Sequence, residues 1–142
     1  MDPMSGTGSI PVEASLVGAR VVALDKSREM TLGSLSNMHH FAQEWEGVIV
    51  ADALRPPLKV VDAVATDLPY GRVSSTGRLG ASGVSKGFLA VLPSILKPGS
   101  RAVLMHPQAV PVTPGKELEL EEEHHLYVHK LLTRTITILR RS

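Results

Sequence analysis

The stretch "VVDAVATDLPYGR", residues 60–72, sets a short β-branched run against an acid, a proline, a tyrosine and a glycine. The run itself reads as a buried strand of a parallel sheet, where strands are continuously apolar instead of alternating. Its ending needs a separate reason. Pro69 fixes φ and biases Leu68 toward extended geometry, so backbone carbonyls there point outward instead of continuing a ladder. Tyr70 offers a flat face on which a base can stack. Together, Asp67 and the Leu68 carbonyl can accept hydrogen bonds from an exocyclic amine and aim its nitrogen lone pair at an electrophile. The alternative is a Pro-Tyr-Gly turn with a buried tyrosine.

Two other runs have the same form: "ARVVALD" (19–25) and "GVIVADA" (47–53) also carry an Asp at or near the end. A fourth, "SRAVLMHP" (100–107), follows the turn signal Lys-Pro-Gly. Helix-length segments separate them. "SIPVEASLVG" (9–18) stops at Gly18, a plausible helix C-terminal position. "SREMTLGSLSNMHHFAQEW" (27–45) spaces Met30, Leu35, Met38 and Phe41 as a helix does, and Phe41 and Trp45 are assigned to the core. "SKGFLAVLPSILK" (85–97) has a broad apolar face with a kink expected at Pro93. Strands alternating with helices predict an α/β fold on a parallel sheet. The tail alternates instead, and two antiparallel strands are expected over about 118–129 and 133–140. The Gly- and Ser-rich segment 73–87 is expected to be a flexible loop or lid.

Composition sets the outer bounds. The 142 residues suffice for one domain with a real core, and a net charge of +1 leaves no global field to attract nucleic acid or membrane. With no cysteine, disulfides and thiolate metal sites are excluded. No run approaches the roughly 18 apolar residues of a membrane span. The first ten residues lack the pattern of a signal peptide, so a cytoplasmic protein is the default expectation.

Four motifs carry chemistry. In "DPMSGTGSIPVEA" (2–14), Gly6 and Gly8 flank Thr7 ahead of a helix, which suits close approach of a ligand to the backbone or simply a tight turn. Asp25 lies about 20 residues on, placed to accept the hydroxyls of a ribose; the competing role is a helix cap, for which Ser27 is the rival. Asp52 is a third acid at a strand end. With Asp67, the three acids should line one edge of the sheet, the side where ligands bind in open α/β folds. The fourth motif is Asp67 to Gly71.

In this order, "DPMSGTGSIPVEA", "VVALDKSREM", "VIVADA" and "DAVATDLPYGR" resemble the class I S-adenosylmethionine-dependent methyltransferases that modify exocyclic amines. The resemblance is closer to the THUMP-associated tRNA guanosine N2-methyltransferases, and "VHKLLTRTITILRR" looks like the final hairpin of that group. It implies a Rossmann-like sheet with helices on both faces and an antiparallel C-terminal hairpin. It implies further that S-adenosyl-L-methionine is the cofactor, with Asp2, Ser5, Gly6 and Gly8 around its methionine end. Asp25 would hold the ribose with Lys26 beside the adenine, and Asp52 would meet the adenine amine next to Ala53. Asp67, Leu68, Pro69 and Tyr70 would hold the target guanine, with no metal. Leu68 stands where the family more often has a proline, a mild departure because a backbone carbonyl serves in either case.

Only Met1 precedes Asp2, so the first strand of this fold and the THUMP region are both expected to be missing. The reading carried forward is a catalytic domain over residues 1–142 that is N-terminally truncated or has a mis-set start. A strand donated by a partner protein, or a non-catalytic remnant acting as a binding or scaffold module, are the alternatives. Some relatives also need a small activator protein. Adenine N6 or a protein amide are the other amine substrates the motif allows. Arg72 and Arg78 flank the presumed site and are the RNA-binding candidates, while Lys130, Arg134, Arg140 and Arg141 form a modest basic tail able to touch phosphate or simply face solvent. The histidines of "HHLYVH" (124–129) match no known ligand spacing.

Overall fold

The computed structural model describes residues 1–70 and 79–142. The chain divides into two compact units, Met1–Pro57 and Leu58–Ser142. In the first, helix α1 (Ser9–Leu16) precedes strand β1 (Val22–Asp25), helix α2 (Arg28–His40) and strand β2 (Gly47–Val50). β1 and β2 pair in parallel, Val22 opposite Gly47 through Asp25 opposite Val50. The other edge of β1 is met by Asp2 in a single parallel bridge to Ala23: Asp2 N–H donates to the Val22 carbonyl at 2.9 Å, and Leu24 N–H donates to the Asp2 carbonyl at 2.8 Å.

The start of α2 is fixed by Ser27, whose Oγ accepts from Met30 N–H at 3.3 Å. Ser27, not Asp25, is therefore the cap. Ser27→Ala should cost about 1 kcal/mol of stability in a denaturant titration, the usual loss when an N-cap hydroxyl is removed. Helix α1 is capped at its C-terminus by Val17, and Gly18 takes the left-handed φ of 86° that a glycine accommodates without strain.

In the second unit, strand β3 (Val61–Asp67), helix α3 (Gly80–Ile95) and strand β4 (Leu96–Pro107) form a parallel crossover, and β5 (Leu118–His129) and β6 (Leu132–Arg141) form the hairpin. The sheet order is β3-β4-β6-β5, with β4–β6 and β6–β5 antiparallel. The hairpin lies where the alternation predicts it. Its two-residue turn, Lys130 and Leu131, uses no positive φ; a register shift between Tyr127 and His129 absorbs the mismatch instead.

Alternation splits this sheet into unequal faces. Val64, Thr66, Ala102, Leu104, His106, Thr135, Thr137 and Leu139 are buried. Ala65, Asp67, Val103, Met105, Arg134, Ile136 and Ile138, on the opposite pleats, are half-buried. The threonines of β6 thus point inward, where Thr137 Oγ1 lies 2.8 Å from His106 Nε2. His106 Nδ1 contacts the Pro107 carbonyl at 3.0 Å. A carbonyl only accepts, so Nδ1 carries the hydrogen and Nε2 accepts from the threonine hydroxyl.

Several expectations are corrected. The predicted loop over 73–87 falls partly outside the described residues, but from Gly80 onward it is helix. Ser85, Phe88, Leu89, Leu92 and Ile95 are buried at helical spacing, and that packing overrides the poor helix propensity of Gly83 and Gly87. Pro93 sits within the last turn, and the helix runs through it to Ile95. β4 begins at Leu96, with the expected turn at Gly99 (φ 79°) appearing as an irregularity inside the strand. β2 stops at Val50, two residues short of Asp52. β3 is not wholly buried; Asp62 and Ala63 are exposed. Phe41 is 52% exposed, outside the core, and Trp45 is half-buried with its ring edge-on to His39 at 4.7 Å. Among the described residues, no helix is long and apolar enough to cross a membrane.

Candidate active site

In the first unit, the loop before α1 is built around Asp25. One carboxylate oxygen, Oδ2, accepts from Gly6 N–H at 2.9 Å, and Oδ1 accepts from Ser27 N–H at 2.8 Å. A single acid at the end of β1 thereby ties the glycine loop to the start of α2. Ser5 N–H donates to the Leu24 carbonyl at 2.8 Å, so the loop also follows the strand. Asp2 is buried, and its Oδ1 accepts from Met4 N–H at 3.1 Å.

The two glycines do different work. Gly6 (φ 53°) has open space where a side chain would be, as close ligand approach requires. Gly8 (φ 90°) is pressed against α2: an added Cβ would lie 2.5 Å from Ser34 Oγ and 3.1 Å from Ser34 Cα. Among the described residues, the buried Ser5 and Ser34 hydroxyls have no hydrogen-bond partner, an uncommon condition for buried polar atoms.

Asp52 lies beyond β2 and opens a turn, accepting from Leu54 N–H at 2.9 Å through Oδ1. Its neighbour Ala51 donates N–H to the Asp25 carbonyl at 3.0 Å, which sets the two acidic segments side by side. Ala53 is buried, and Lys26 is exposed. The structure therefore gathers Asp2, Ser5, Gly6, Gly8, Asp25 and the Asp52–Ala53 turn within one unit.

The second constellation belongs to the other unit. Asp67 closes β3, opposite Met105 of β4. Leu68 is buried and donates its N–H to the Met105 carbonyl at 2.8 Å, so the Pro69 turn leaves the sheet from a fixed point. Tyr70 Oη donates to Asp67 Oδ1 at 2.6 Å. Tyr70 is 37% exposed, so it is not the buried tyrosine of the alternative reading. Its face is covered by Arg134 of β6, whose Cζ is 5.2 Å from the ring centroid.

Burial raises the Asp67 carboxyl above its usual range, against the lowering effects of the Tyr70 hydrogen bond and the Arg134 charge. Burial and the adjacent carboxylate together push the Tyr70 hydroxyl well above the ordinary tyrosine range, so it stays a donor. The arrangement is a half-buried carboxylate with raised proton affinity, beside an aromatic face, at the carboxyl end of a parallel strand. An elevated acid of this kind is a common mark of a working site.

Arg72 and Arg78 lie outside the described residues. Arg134, assigned to a solvated or phosphate-touching tail, instead belongs to this constellation. Arg140 lies 3.9 Å from Glu121, and Arg141 donates to the Leu96 carbonyl. His124 pairs with Glu122 at 2.8 Å, and His125 contacts Thr135 at 3.1 Å. Among the described residues, no group of three His, Cys, Asp or Glu could hold a metal ion.

The fold is that of a Rossmann-like class I methyltransferase. TrmN from Thermus thermophilus superposes with a TM-score of 0.85 over 99% of this chain and 43% of its own length, at 20% identity. The chain belongs to the UPF0020 family, described as an RMKL-like methyltransferase domain, which matches residues 1–125. Among its relatives, the tRNA (guanine(10)-N2)-dimethyltransferase of Methanothermobacter thermautotrophicus is 33% identical over 145 residues, covering 99% of this chain. The enzyme of the same name from Methanocaldococcus jannaschii is 29% identical over 150 residues and again covers 99% of this chain. The chain spans 43% and 40% of the lengths of these two relatives.

Proposed function

We propose that this chain is the catalytic domain of an S-adenosylmethionine-dependent N-methyltransferase that acts on the N2 amine of a guanine in tRNA. The observation that carries the reading is the Asp67–Tyr70 pair at the end of β3, joined by a 2.6 Å hydrogen bond. The names of the two archaeal relatives point to the same chemistry.

The first unit fits the cofactor. Its buried hydroxyls of Ser5 and Ser34 have no partner among the described residues, and Gly6 leaves room beside the backbone. Asp25 would hold the ribose, because each carboxylate oxygen keeps a lone pair after accepting its backbone N–H. Asp2, Ser5, Gly6 and Gly8 would surround the methionine end, and Lys26, Asp52 and Ala53 the adenine. When bound, S-adenosylmethionine supplies an electrophilic methyl group. Asp67 and the Leu68 carbonyl accept hydrogen bonds from the amine and orient its lone pair. Tyr70 supports the base by stacking. The amine loses one proton for the methyl it gains, and Asp67 is the base the site offers. Positioning and charge placement supply most of the acceleration.

Calorimetry with S-adenosylmethionine and methyl transfer to unmodified tRNA, mapped by nucleoside analysis, test the reading. Binding of the cofactor and label on guanine N2 are expected. Absence of binding at millimolar cofactor would favour the non-catalytic remnant, and label on adenine would overturn the guanine assignment.

A further inference from the structure

Arg134 lies far along the chain from the Asp-Leu-Pro-Tyr turn, yet its side chain closes over it. Its guanidinium covers the Tyr70 ring at 5.2 Å. Nη1 also contacts Met105 Sδ at 3.9 Å. Met105 is the residue paired with Asp67, and its carbonyl receives the Leu68 N–H. Among the described residues, buried Arg134 Nε has no hydrogen-bond partner. Contacts with the ring and the thioether hold this cation beside the turn. The Tyr70 ring is consequently restrained twice, at its hydroxyl by Asp67 and across its plane by Arg134.

We infer that Arg134 is a positioning residue for the methyl acceptor: it fixes the plane of Tyr70 so that an incoming base meets a preset stacking surface beside the Asp67 carboxylate. This rests on the functional reading given above. Two properties of arginine serve the role. Its planar guanidinium stacks on an aromatic face as a lysine ammonium does not, and it keeps its charge at any working pH. The charge also acts on Asp67. Among the described residues, Tyr70 on its own turn, uncharged Met105 from β4 and Arg134 from β6 face that carboxyl; His106 lies on the opposite pleat. Among them, Arg134 carries the positive charge that opposes the effect of burial on Asp67.

Arg134→Met keeps an apolar stem and removes both plane and charge; Arg134→Lys keeps only the charge. In the methionine variant, the KM for tRNA should rise roughly tenfold, the scale of a partly desolvated cation–π contact, while cofactor affinity stays within twofold. The acid limb of the kcat/KM profile should move to higher pH, because Asp67 then holds its proton more tightly. The lysine variant should restore the acid limb and leave the tRNA KM raised. A residue that served stability alone would leave the acid limb in place. Wild-type KM and an unmoved limb in Arg134→Met would overturn the inference, and if that variant does not fold, a wild-type KM in Arg134→Lys would do so. Should the wild-type protein transfer no methyl group to tRNA, the functional reading fails, and the contact is still decided by following the Asp67 carboxyl by ¹³C NMR. A higher titration midpoint in the variant lacking the cation supports the contact, and equal midpoints overturn it.

Discussion

Asp67→Ala is expected to lower methyl transfer to tRNA by at least about 100-fold, the range lost when a positioned acid–base group is removed, while S-adenosylmethionine affinity changes by only a few-fold. The asymmetry follows from the residues involved. The cofactor candidates lie within Met1–Pro57, and Asp67 lies in the other unit, on β3. In the proposed function Asp67 would meet the acceptor amine and its proton, so its loss should fall on the chemical step. Single-turnover methylation and calorimetry separate the two quantities; an active alanine variant would refute the role. Stability against pH gives a second readout. The folded-state proton affinity of Asp67 is raised, so its contribution is favourable at low pH and is lost as pH rises through the folded-state value. Asp67→Asn should therefore raise Tm at neutral pH, with the gain shrinking in acid. A site that loses activity and gains stability on the same change is under functional strain.

Gly8→Ala is the second change with a large expected effect. The substituted residue would sit at φ 90°, with its Cβ 2.5 Å from Ser34 Oγ and 3.1 Å from Ser34 Cα. A left-handed conformation costs an ordinary residue about 1–2 kcal/mol, and overpacking adds about 1–3 kcal/mol. A loss of about 3 kcal/mol is expected by urea denaturation, with weaker cofactor binding because Gly8 N–H also donates to the Ser5 carbonyl at 2.8 Å. Gly8→Ala combined with Ser34→Gly should recover part of the loss by removing the clashing side chain. Strict additivity of the two changes would show that the close approach is not the cause.

The strand–helix rhythm was legible because parallel strands are short, β-branched and bounded by turns, as 19–25, 47–53 and 60–67 are, although no residue of β2 and only part of β3 is buried. The C-terminal hairpin was legible from alternation. Alternation does not say which face is inward, however, and Thr135 and Thr137 are buried while Ile136 and Ile138 are only half-buried. The first turns of α3 were hidden by Gly80, Gly83 and Gly87, whose low propensity looks like a loop until the burial of Ser85 and Phe88 is known. Phe41 fits a helical spacing, but α2 ends at His40 and leaves it exposed. Asp25 and Asp67 do end their strands, as the sequence suggests, whereas Asp52 lies beyond β2 in a turn. Arg134 could not be found in this way, because its partner Tyr70 is brought to it by the order β3-β4-β6, which no local pattern encodes.

The tie between Asp25 and the glycine loop bears on how fast a ligand can bind. Gly6 and Ser27 already donate to the Asp25 carboxylate, and Ser5 already follows β1. Ordering a residue's backbone costs about 1–2 kcal/mol, and here that ordering accompanies folding, not association. Cofactor capture should then be a single-step encounter whose rate rises linearly with concentration in stopped flow, with no plateau from a slow loop rearrangement.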